Sequence, residues 1–533
     1  MIVKIWQTSR QTRQGFFACN FIVMKKFLLS FCFLVFVFGA FAQNCTHHCH
    51  NHEEHADENE IKHVNEINKN WKKRSFKTNG LTHFIGSTHQ HSGFSDGFPG
   101  TTPADYFQSG IDNGFDFVFG ADHSDSYIIP VTLHDECASE NILDCIAINP
   151  LDLVGSVLKW PRFAEIAAEK STDNFLAVRG FEWTSDRFGH INVYFSKHIS
   201  NAKTDGGYVL LETFWNWFTT DPVNIFGLEA VLGGYGASDG LGVFNHPGDK
   251  SLFDEDPGFN WNGFEYVPKA DSQMVGMEVF NDGRDYASDG RSYFQEALDQ
   301  GWHIGAIASE DHHDTNWNND EDEKTIIVAK DLTEESFKEA MKRRRTYAVR
   351  DFSLRLEYFA GDAFMGSQIQ RKTDSQVLLN ATVDTDQKIK IEIVSNENTV
   401  VDSVYGKRIQ KIVEVTDAEK WYYLRVSDAN SGRSLAYSSP IWIKGGGDIV
   451  DEINTSVYEA SKQDLLVYPN PVSRGNKIYF NTKNLVSVSL YSADGKLIKS
   501  TNENTLLMDV ESGVYICRLF DGESLVSKVV EVK

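Results

Sequence analysis

The sequence predicts an α/β domain followed by two domains built from β-strands. Between Leu81 and Tyr347, short apolar segments alternate with helical patterns, which is typical of a parallel sheet or an α/β barrel. After Arg350 the segments alternate apolar and polar residues, as in SLRLEYF and WYYLRVS, which is typical of strands. We therefore expect an α/β domain at 76–350, an all-β domain at 351–444, a linker at 445–464 and a small β-sandwich at 465–533.

Seven apolar segments of the α/β part are the strand candidates. In chain order they are LTHFIGSTHQH, FDFVFGADH, NFLAVRGFEW, HINVYF, LGVFNHPG, MVGMEVFN and HIGAIASEDHH. Helices are expected between them, with Thr102 and Thr333 as N-caps and Pro103 in a first turn. In all but one of these strands the polar residues collect at or just after the C-terminal end. Parallel α/β barrels build their active sites at that end.

Chain length and charge restrict the function. A chain of 533 residues is too long for one hydrophobic core. Its 51 basic and 75 acidic residues give a net charge of −24, which repels nucleic acid and anionic lipid. A small phosphorylated substrate remains compatible, because bound cations reverse the field locally.

The N-terminal region reads as a secretory signal peptide. Residues 24–42 carry two lysines, an apolar run and the Ala40-Phe41-Ala42 cleavage pattern. That run is shorter than the roughly 20 residues that a spanning helix needs, and we expect no transmembrane segment in the mature chain. Since signal peptides begin at their basic end, Met24 is the expected start, and residues 1–23 are interpreted as an upstream artefact.

Residues 43–75 have the composition of a disordered tail. The tail is rich in acids, and its first part, at 45–60, carries five histidines: His47, His48, His50, His52 and His55. Such a tract either is merely solvated, the reading we favour, or binds transition metals loosely. Farther on, export permits disulfides, so Cys137 and Cys145 form either a local bridge or two free thiols.

Histidines and carboxylates at the strand ends suggest a metal site. His89 and His91 follow the first strand, where two imidazoles one residue apart can face one ion. The pair gains weight from the residues that follow along the chain: Asp96, Asp122, His123, Glu182, His190, His246 and the segment 310–314. Mixed imidazole and carboxylate ligands suit Zn²⁺, Mn²⁺ or Fe.

At these motifs the sequence resembles the PHP (polymerase and histidinol phosphatase) family, in a secreted branch with an all-β extension. The resemblance spans about residues 80 to 444 and is carried, in the family's order, by HQHSGFSDG, FVFGADHSD, GFEWTS, GHINVY, FNHPG, IASEDHH, RRRTYAV, GDAFMGS, WYYLRV and SSPIWIK. It implies a distorted seven-stranded (β/α) barrel, two or three divalent metal ions and hydrolysis of phosphate esters or related bonds. The implied metal ligands are His89, His91, His123, Glu182, His190, His246, Asp311 and His313.

Three points depart from the family pattern. Asp96 stands where many members have a histidine, and it either binds metal or orients a ligand. The last motif allows two registers, Asp311 with His313 or Glu310 with His312, of which we prefer the first. A further family histidine has His198 as its only counterpart, but the surrounding SKHISNAKTDGG predicts an exposed loop.

The expected reaction is hydrolysis of small phosphate mono- or diesters by a metal-bridging hydroxide. Glu182 is the expected bridging carboxylate and Asp311 the expected base. Arg187 and Arg345 are candidate substrate contacts, although Arg343 to Arg345 also fit a cationic helix C-terminus. Glu278 is read as structural. The alternatives are an ester, carbamate or amide hydrolase with the same metals, and a non-enzymatic metal-binding or adhesive surface protein.

The C-terminal region resembles the sorting domain of type IX secretion cargo. The residues that carry the resemblance are Tyr468-Pro469-Asn470-Pro471, the hairpin Ala493–Lys496, Ser512-Gly513-Val514-Tyr515 and the terminal Lys533. It implies the type IX machinery as a partner, with export through the periplasm and outer membrane to the cell surface or the medium.

Overall fold

A computed structural model of the chain describes residues 76–126, 159–204, 207–223, 235–248, 258–288, 290–319, 323–451, 467–480, 487–492, 497–520 and 525–533. The predicted signal peptide, the upstream segment, the histidine-rich tail and the Cys137 and Cys145 pair lie outside the described residues. So does the predicted hairpin at 493–496. Within the described part, no helix combines the length and the apolar character needed to cross a membrane.

All seven predicted strand regions of the α/β part contain strands. The strands of this part are β1 (Lys77–Thr78), β2 (Leu81–Ser87), β3 (Phe117–Phe119), β4 (Leu176–Val178), β5 (Gly180–Ser185), β6 (Gly189–Tyr194), β7 (Lys203–Thr204), β8 (Gly207–Tyr208), β9 (Leu241–Phe244), β10 (Met274–Asn281), β11 (Arg284–Asp285), β12 (Gly305–Ser309), β13 (Lys324–Ala329) and β14 (Thr346–Val349). NFLAVRGFEW forms two of them, β4 and β5.

The helices of the same part are α1 (Pro103–Asp112), α2 (Lys159–Lys170), α3 (Leu211–Phe218), α4 (Phe259–Phe264), α5 (Tyr293–Asp299) and α6 (Glu334–Lys342). Both predicted N-caps are confirmed. The Thr102 hydroxyl accepts a hydrogen bond from the amide of Ala104, and the Thr333 hydroxyl accepts one from the amide of Ser336. Residues 260–263 of α4 have φ between 49° and 66°, so this short helix is left-handed.

The strands of the α/β part fall in two sheets. In one, β2, β3 and β4 run parallel, and β13 joins β2 antiparallel. In the other, β9, β10 and β12 are parallel, whereas the β5–β6 hairpin is antiparallel. The alternation of strands and helices thus predicted the parallel pairs correctly but not this hairpin. Aromatic side chains of the helices, among them Tyr106, Phe107, Phe163, Phe214 and Trp215, pack in the core.

The all-β part shares a sheet with the α/β part. Its strands are β15 (Arg355–Ala360), β16 (Ala363–Phe364), β17 (Gln368–Gln370), β18 (Gln376–Asp384), β19 (Ile389–Ser395), β20 (Thr399–Tyr405), β21 (Arg408–Glu414), β22 (Lys420–Asp428), β23 (Ser434–Ser438) and β24 (Ile441–Lys444). Strand β14 pairs with β23, and Trp421, Tyr423 and Trp442 pack in the same core cluster as the α/β helices. The two parts are therefore continuous in hydrogen bonding and in packing.

The C-terminal part is a separate set of strands with its own core. Its strands are β25 (Val467–Tyr468), β26 (Lys477–Phe480), β27 (Ser487–Ser492), β28 (Leu497–Thr501), β29 (Thr505–Leu507), β30 (Gly513–Phe520) and β31 (Leu525–Val532). They form two sheets around a cluster that includes Ile478, Val488, Leu490 and Leu519. The buried Cys517 is a free thiol.

Candidate metal centre

The nine predicted metal ligands lie in three groups in space. Within each group, one donor atom of each member lies within 4.8 Å of those of the others. The groups are His91, Asp96, His123 and His313; His89, His91 and Asp311; and Glu182, His190 and His246. Residues spread over more than 220 positions of the sequence thus converge at one end of the α/β part.

His89 follows β2 and is held by a buried carboxylate. Its Nδ1 lies 2.8 Å from Glu278 Oε1, and both side chains have no exposed surface. When Nδ1–H donates to this carboxylate, the lone pair of Nε2 faces the site. That Nε2 lies 3.3 Å from Asp311 Oδ1 and 2.9 Å from His91 Nε2.

His91 belongs to two of the groups. Its Nε2 lies 3.0 Å from Asp311 Oδ1, while its Nδ1 lies 3.6 Å from Asp96 Oδ1. A neutral imidazole has one lone pair for a metal. The group with Asp96 therefore has three ligands of its own, Asp96, His123 and His313, when His91 ligates on its Nε2 side.

Glu182 connects two of the groups. Its Oε1 lies 3.0 Å from His190 Nδ1 and 3.1 Å from His246 Nε2, and its Oε2 lies 2.7 Å from His123 Nδ1. Asn245 donates to Oε1 at 2.9 Å and fixes the carboxylate plane. Two oxygens that face different groups are the geometry of a bridging carboxylate.

Asp311 faces the site, whereas the neighbouring Glu310 does not. Asp311 Oδ1 contacts His89 and His91, and its Oδ2 lies 3.7 Å from His246 Nε2. Glu310 is fully buried against Lys324 and accepts a hydrogen bond from the Asn318 amide. The geometry thus favours the register of Asp311 with His313 over that of Glu310 with His312.

Two ligand positions have left-handed backbone. The φ angles of His246 and Asp311 are 26° and 54°. Non-glycine residues adopt such angles at a cost of about 1–3 kcal/mol, and this strain concentrates at functional sites. The surrounding bonds hold both positions, since the His246 amide donates to Glu278 Oε2 and the Asp311 amide donates to the His89 carbonyl.

Burial and charge set the protonation of the cluster. Burial and the adjacent imidazoles of His313 and His123 lower the pKa of His91 to about 3, so this ring is neutral. Burial raises a carboxyl pKa, but neighbouring imidazoles outweigh it and hold the pKa of Asp311 well below its usual value. Opposing burial, Asp96 and Glu182 raise the pKa of His123, so a cation bound there displaces a proton.

The donor set fits divalent transition metals. Six imidazoles and three carboxylates within three groups match the nitrogen and oxygen ligands of Zn²⁺, Mn²⁺ or Fe. Histidine ligands held by outer carboxylates, as His89 is by Glu278, are a recurrent feature of such sites. His190 has the same arrangement, because its Nε2 lies 3.4 Å from Asp186 Oδ1.

Arg345 is not at this site, which corrects its prediction as a substrate contact. Its guanidinium pairs with Glu339 on α6, and its carbonyl accepts from Val328, which pairs with His83 near the start of β2. The proposed ligands follow the opposite end of β2. Six residues separate His83 from His89, which is about 20 Å of extended chain at about 3.3 Å per residue. The reading of a cationic helix end fits these contacts.

Two further predictions about polar residues have different outcomes. Arg187 is partly buried in the turn before His190, with its guanidinium 5.0 Å from the Phe188 ring, and its substrate contact stays a prediction. His198 is buried, with 3% exposure, where an exposed loop was expected. It belongs to none of the three groups among the described residues.

Sequence reasoning missed the outer partners Asp186 and Asn245 and the orienting role of Glu278. It also missed the G-x-S-x-G pattern of serine hydrolases, which occurs at 93–97 and 236–240. Ser95 donates to Asp122, and Ser238 donates to Asp221. Neither segment forms the strand-to-helix elbow that exposes a nucleophilic serine.

Comparisons with known proteins identify the C-terminal part. Residues 466–533 match the family described as secretion system C-terminal sorting domain. This domain marks the protein for export to the cell surface or the medium by the type IX system, and the predicted destination and machinery are confirmed. No curated protein matches the chain.

Two solved structures illustrate the similarity of the remaining chain. One is a two-domain protein from Bacteroides vulgatus ATCC 8482, described as containing a predicted PHP-like metal-dependent phosphoesterase. It is 17% identical to this chain, the match covers 69% of this chain and 99% of that protein, and the TM-score is 0.35. Fibronectin(III)-like modules of Clostridium thermocellum CbhA are 16% identical and cover 17% of this chain and 100% of their own, with a TM-score of 0.15. At these scores neither likeness assigns a function.

Proposed function

We propose that the protein is a secreted metal-dependent phosphoesterase that hydrolyses small phosphate mono- or diesters. The observation that carries the proposal is the convergence of nine imidazole and carboxylate ligands in three adjoining groups. Bound divalent ions supply an activated hydroxide near neutral pH and neutralise charge that develops on phosphate oxygens. The resemblance of the sequence to the PHP family implies the same chemistry.

The charge of the site favours an anionic substrate. The groups contain three carboxylates, Asp96, Glu182 and Asp311, and the buried Glu278 carboxylate lies against His89, so three divalent ions with one bound hydroxide would leave the site net positive. A net positive site attracts phosphate even though the whole chain carries −24. This local reversal of sign supports phosphate esters over uncharged esters, carbamates or amides.

The protein residues hold donors in place and move protons. Glu182 presents one oxygen to each side of the cluster, and Asn245 prevents its rotation. Asp311 is the proposed general base, because the neighbouring imidazoles outweigh burial and keep its carboxylate ionised, and because its Oδ1 lies close to both His89 and His91. Glu278 fixes the tautomer and the plane of His89.

The architecture proposed with this function is a distorted seven-stranded (β/α) barrel, with β2, β3, β5, β6, β9, β10 and β12 as its strands. Two isolated parallel bridges at the ligand-bearing end support closure: Gln90 with His312, and His123 with Glu182. The first joins the end of β2 to the segment after β12, and the second joins the segments of β3 and β5. Both bridges place ligand residues on neighbouring chain segments.

The test is turnover by the intact secreted protein with matched substitutions. We expect bound metal and hydrolysis of p-nitrophenyl phosphate, its diester, or both, with weaker turnover of p-nitrophenyl acetate. Glu182→Gln is expected to give a folded, metal-poor and inactive protein, since an amide cannot bridge two cations as a carboxylate does. Normal activity of this variant, or turnover of the acetate alone, would contradict the proposal.

A further inference from the structure

Lys203 pairs with two carboxylates that neighbour residues of the ligand cluster. It belongs to β7, which pairs with β8 in a short hairpin. Its Nζ lies 3.1 Å from Asp125 Oδ2 and 3.9 Å from Asp186 Oδ2. Asp125 follows His123 by two residues, and Asp186 contacts His190, so the ammonium is held between two sides of the cluster.

The span of Lys203 matches that of Glu182. Glu182 reaches from His123 to His190, and Lys203 reaches from the neighbour of His123 to the partner of His190. The Glu182 side chain is 1% exposed, whereas that of Lys203 is 38% exposed. Glu182 thus connects the two sides from the buried interior, and Lys203 connects their neighbours from a position that solvent reaches.

The hairpin places a second side chain on the same carboxylate as Lys203. Tyr208, the partner of Lys203 across the hairpin, donates to Asp186 Oδ2 at 2.9 Å. The half-exposed ion pairs of Lys203 are worth about 0–1 kcal/mol each. The ammonium is therefore held next to the neighbours of His123 and His190 by pairs weak enough to exchange a carboxylate for a phosphate oxygen.

We propose that Lys203 binds a phosphate oxygen of the substrate and gives the site its preference for phosphate monoesters over diesters. The inference rests on the proposed phosphoesterase function. Above about pH 7 a monoester carries nearly two negative charges, because its second pKa is about 6, whereas a diester carries one. An additional cation at the rim stabilises the more highly charged substrate more strongly.

The experiment measures kcat and KM of the intact protein for p-nitrophenyl phosphate and bis(p-nitrophenyl) phosphate at pH 8. In Lys203→Met, kcat/KM for the monoester is expected to fall about 10- to 100-fold, the effect of losing a charged hydrogen bond, mainly through KM. The value for the diester is expected to fall no more than about fivefold. Bound metal is expected to stay at the wild-type level.

Two variants complete the design. Lys203→Arg keeps the charge and is expected to restore most of the monoester preference. Lys197→Met removes an exposed lysine six residues earlier in the chain. It is expected to leave kcat/KM unchanged for both the monoester and the diester. Lys203→Gln, which keeps a polar side chain, repeats the test should the methionine variant be poorly folded.

The possible failures are distinguishable. An unchanged ratio of monoester to diester turnover in both Lys203→Met and Lys203→Gln would overturn the role of Lys203 and leave the proposed function in place. A wild-type protein that binds metal but hydrolyses neither phosphate would overturn the proposed function, and the inference with it. Equal loss in Lys197→Met would show that the effect is one of general surface charge, and would also overturn it.

Discussion

The substitution Glu278→Gln tests whether the outer carboxylate positions the metal ligands. Glu278 has no exposed surface and accepts four hydrogen bonds. Its Oε1 accepts from His89 at 2.8 Å and Ser309 at 2.6 Å, and its Oε2 accepts from the amide of His246 and from Asn281, both at 2.8 Å. Glutamine keeps one acceptor oxygen and turns an amino group toward two of these donors.

The expected loss has two parts. Two buried donors without acceptors cost about 1–3 kcal/mol each, so the free energy of unfolding falls by about 2–6 kcal/mol. Loss of an outer partner of a ligating histidine lowers metal affinity or activity about 10- to 100-fold. Because a domain of ordinary stability has about 5–15 kcal/mol, we expect a less stable protein that still folds.

The assay combines thermal unfolding with titration of metal against a chelator of known affinity. Glu392→Gln is the matched control, because its carboxylate pairs with Lys390 and Arg425 in the all-β part, away from the ligands. This control is expected to lower the melting temperature without changing metal affinity. If Glu278→Gln binds metal as tightly as the wild type, Glu278 does not position the ligands and the reasoning is wrong.

Three further predictions concern the last motif, the junction of the two parts and the tail. His313→Gln is expected to lower kcat/KM at least about tenfold, because His313 belongs to one of the three groups. His312 contacts Asn319 instead, so His312→Gln is expected to leave kcat/KM unchanged. Equal effects of the two substitutions would reject the register of Asp311 with His313. The pKa of His303 is raised to about 9, because Asp271 and Glu419 outweigh burial. Its contribution to stability is therefore full below about pH 6.5 and lost as the pH rises through about 9, so His303→Gln should lower the melting temperature at pH 6 but not at pH 10. Deleting residues 43–75 should leave phosphoesterase turnover intact, and loss of activity would favour a function centred on the histidine-rich tail.

The sequence was informative wherever a local pattern determines structure. Thr102 and Thr333 mark helix starts through contacts within one turn, and the seven apolar segments contain the strands of the α/β part. The residues of the three groups were also recognisable as candidates, because each stands at or near a strand end within a short motif. These features depend on neighbours in the chain.

The features that were missed depend on neighbours in space. Glu278 lies within β10, where the neighbouring strand β12 brings Ser309 to its carboxylate and the segment after β2, a strand of the other sheet, brings His89. Arg345 was misplaced because a sequence does not show at which end of a sheet a residue lies. The sequence likewise predicts a domain boundary at residue 350 but not the pairing of β14 with β23 across it, because that pairing joins residues about 90 positions apart.

The central claim is that the three groups of side chains hold divalent cations. Crystals of the intact mature protein, purified without chelator, allow anomalous diffraction at the zinc, iron and manganese edges. We expect two or three peaks per chain, each about 2.0–2.3 Å from imidazole nitrogens or carboxylate oxygens of the groups. Crystals of folded protein with no anomalous peak among these nine residues, even after soaking with each metal, would contradict the account.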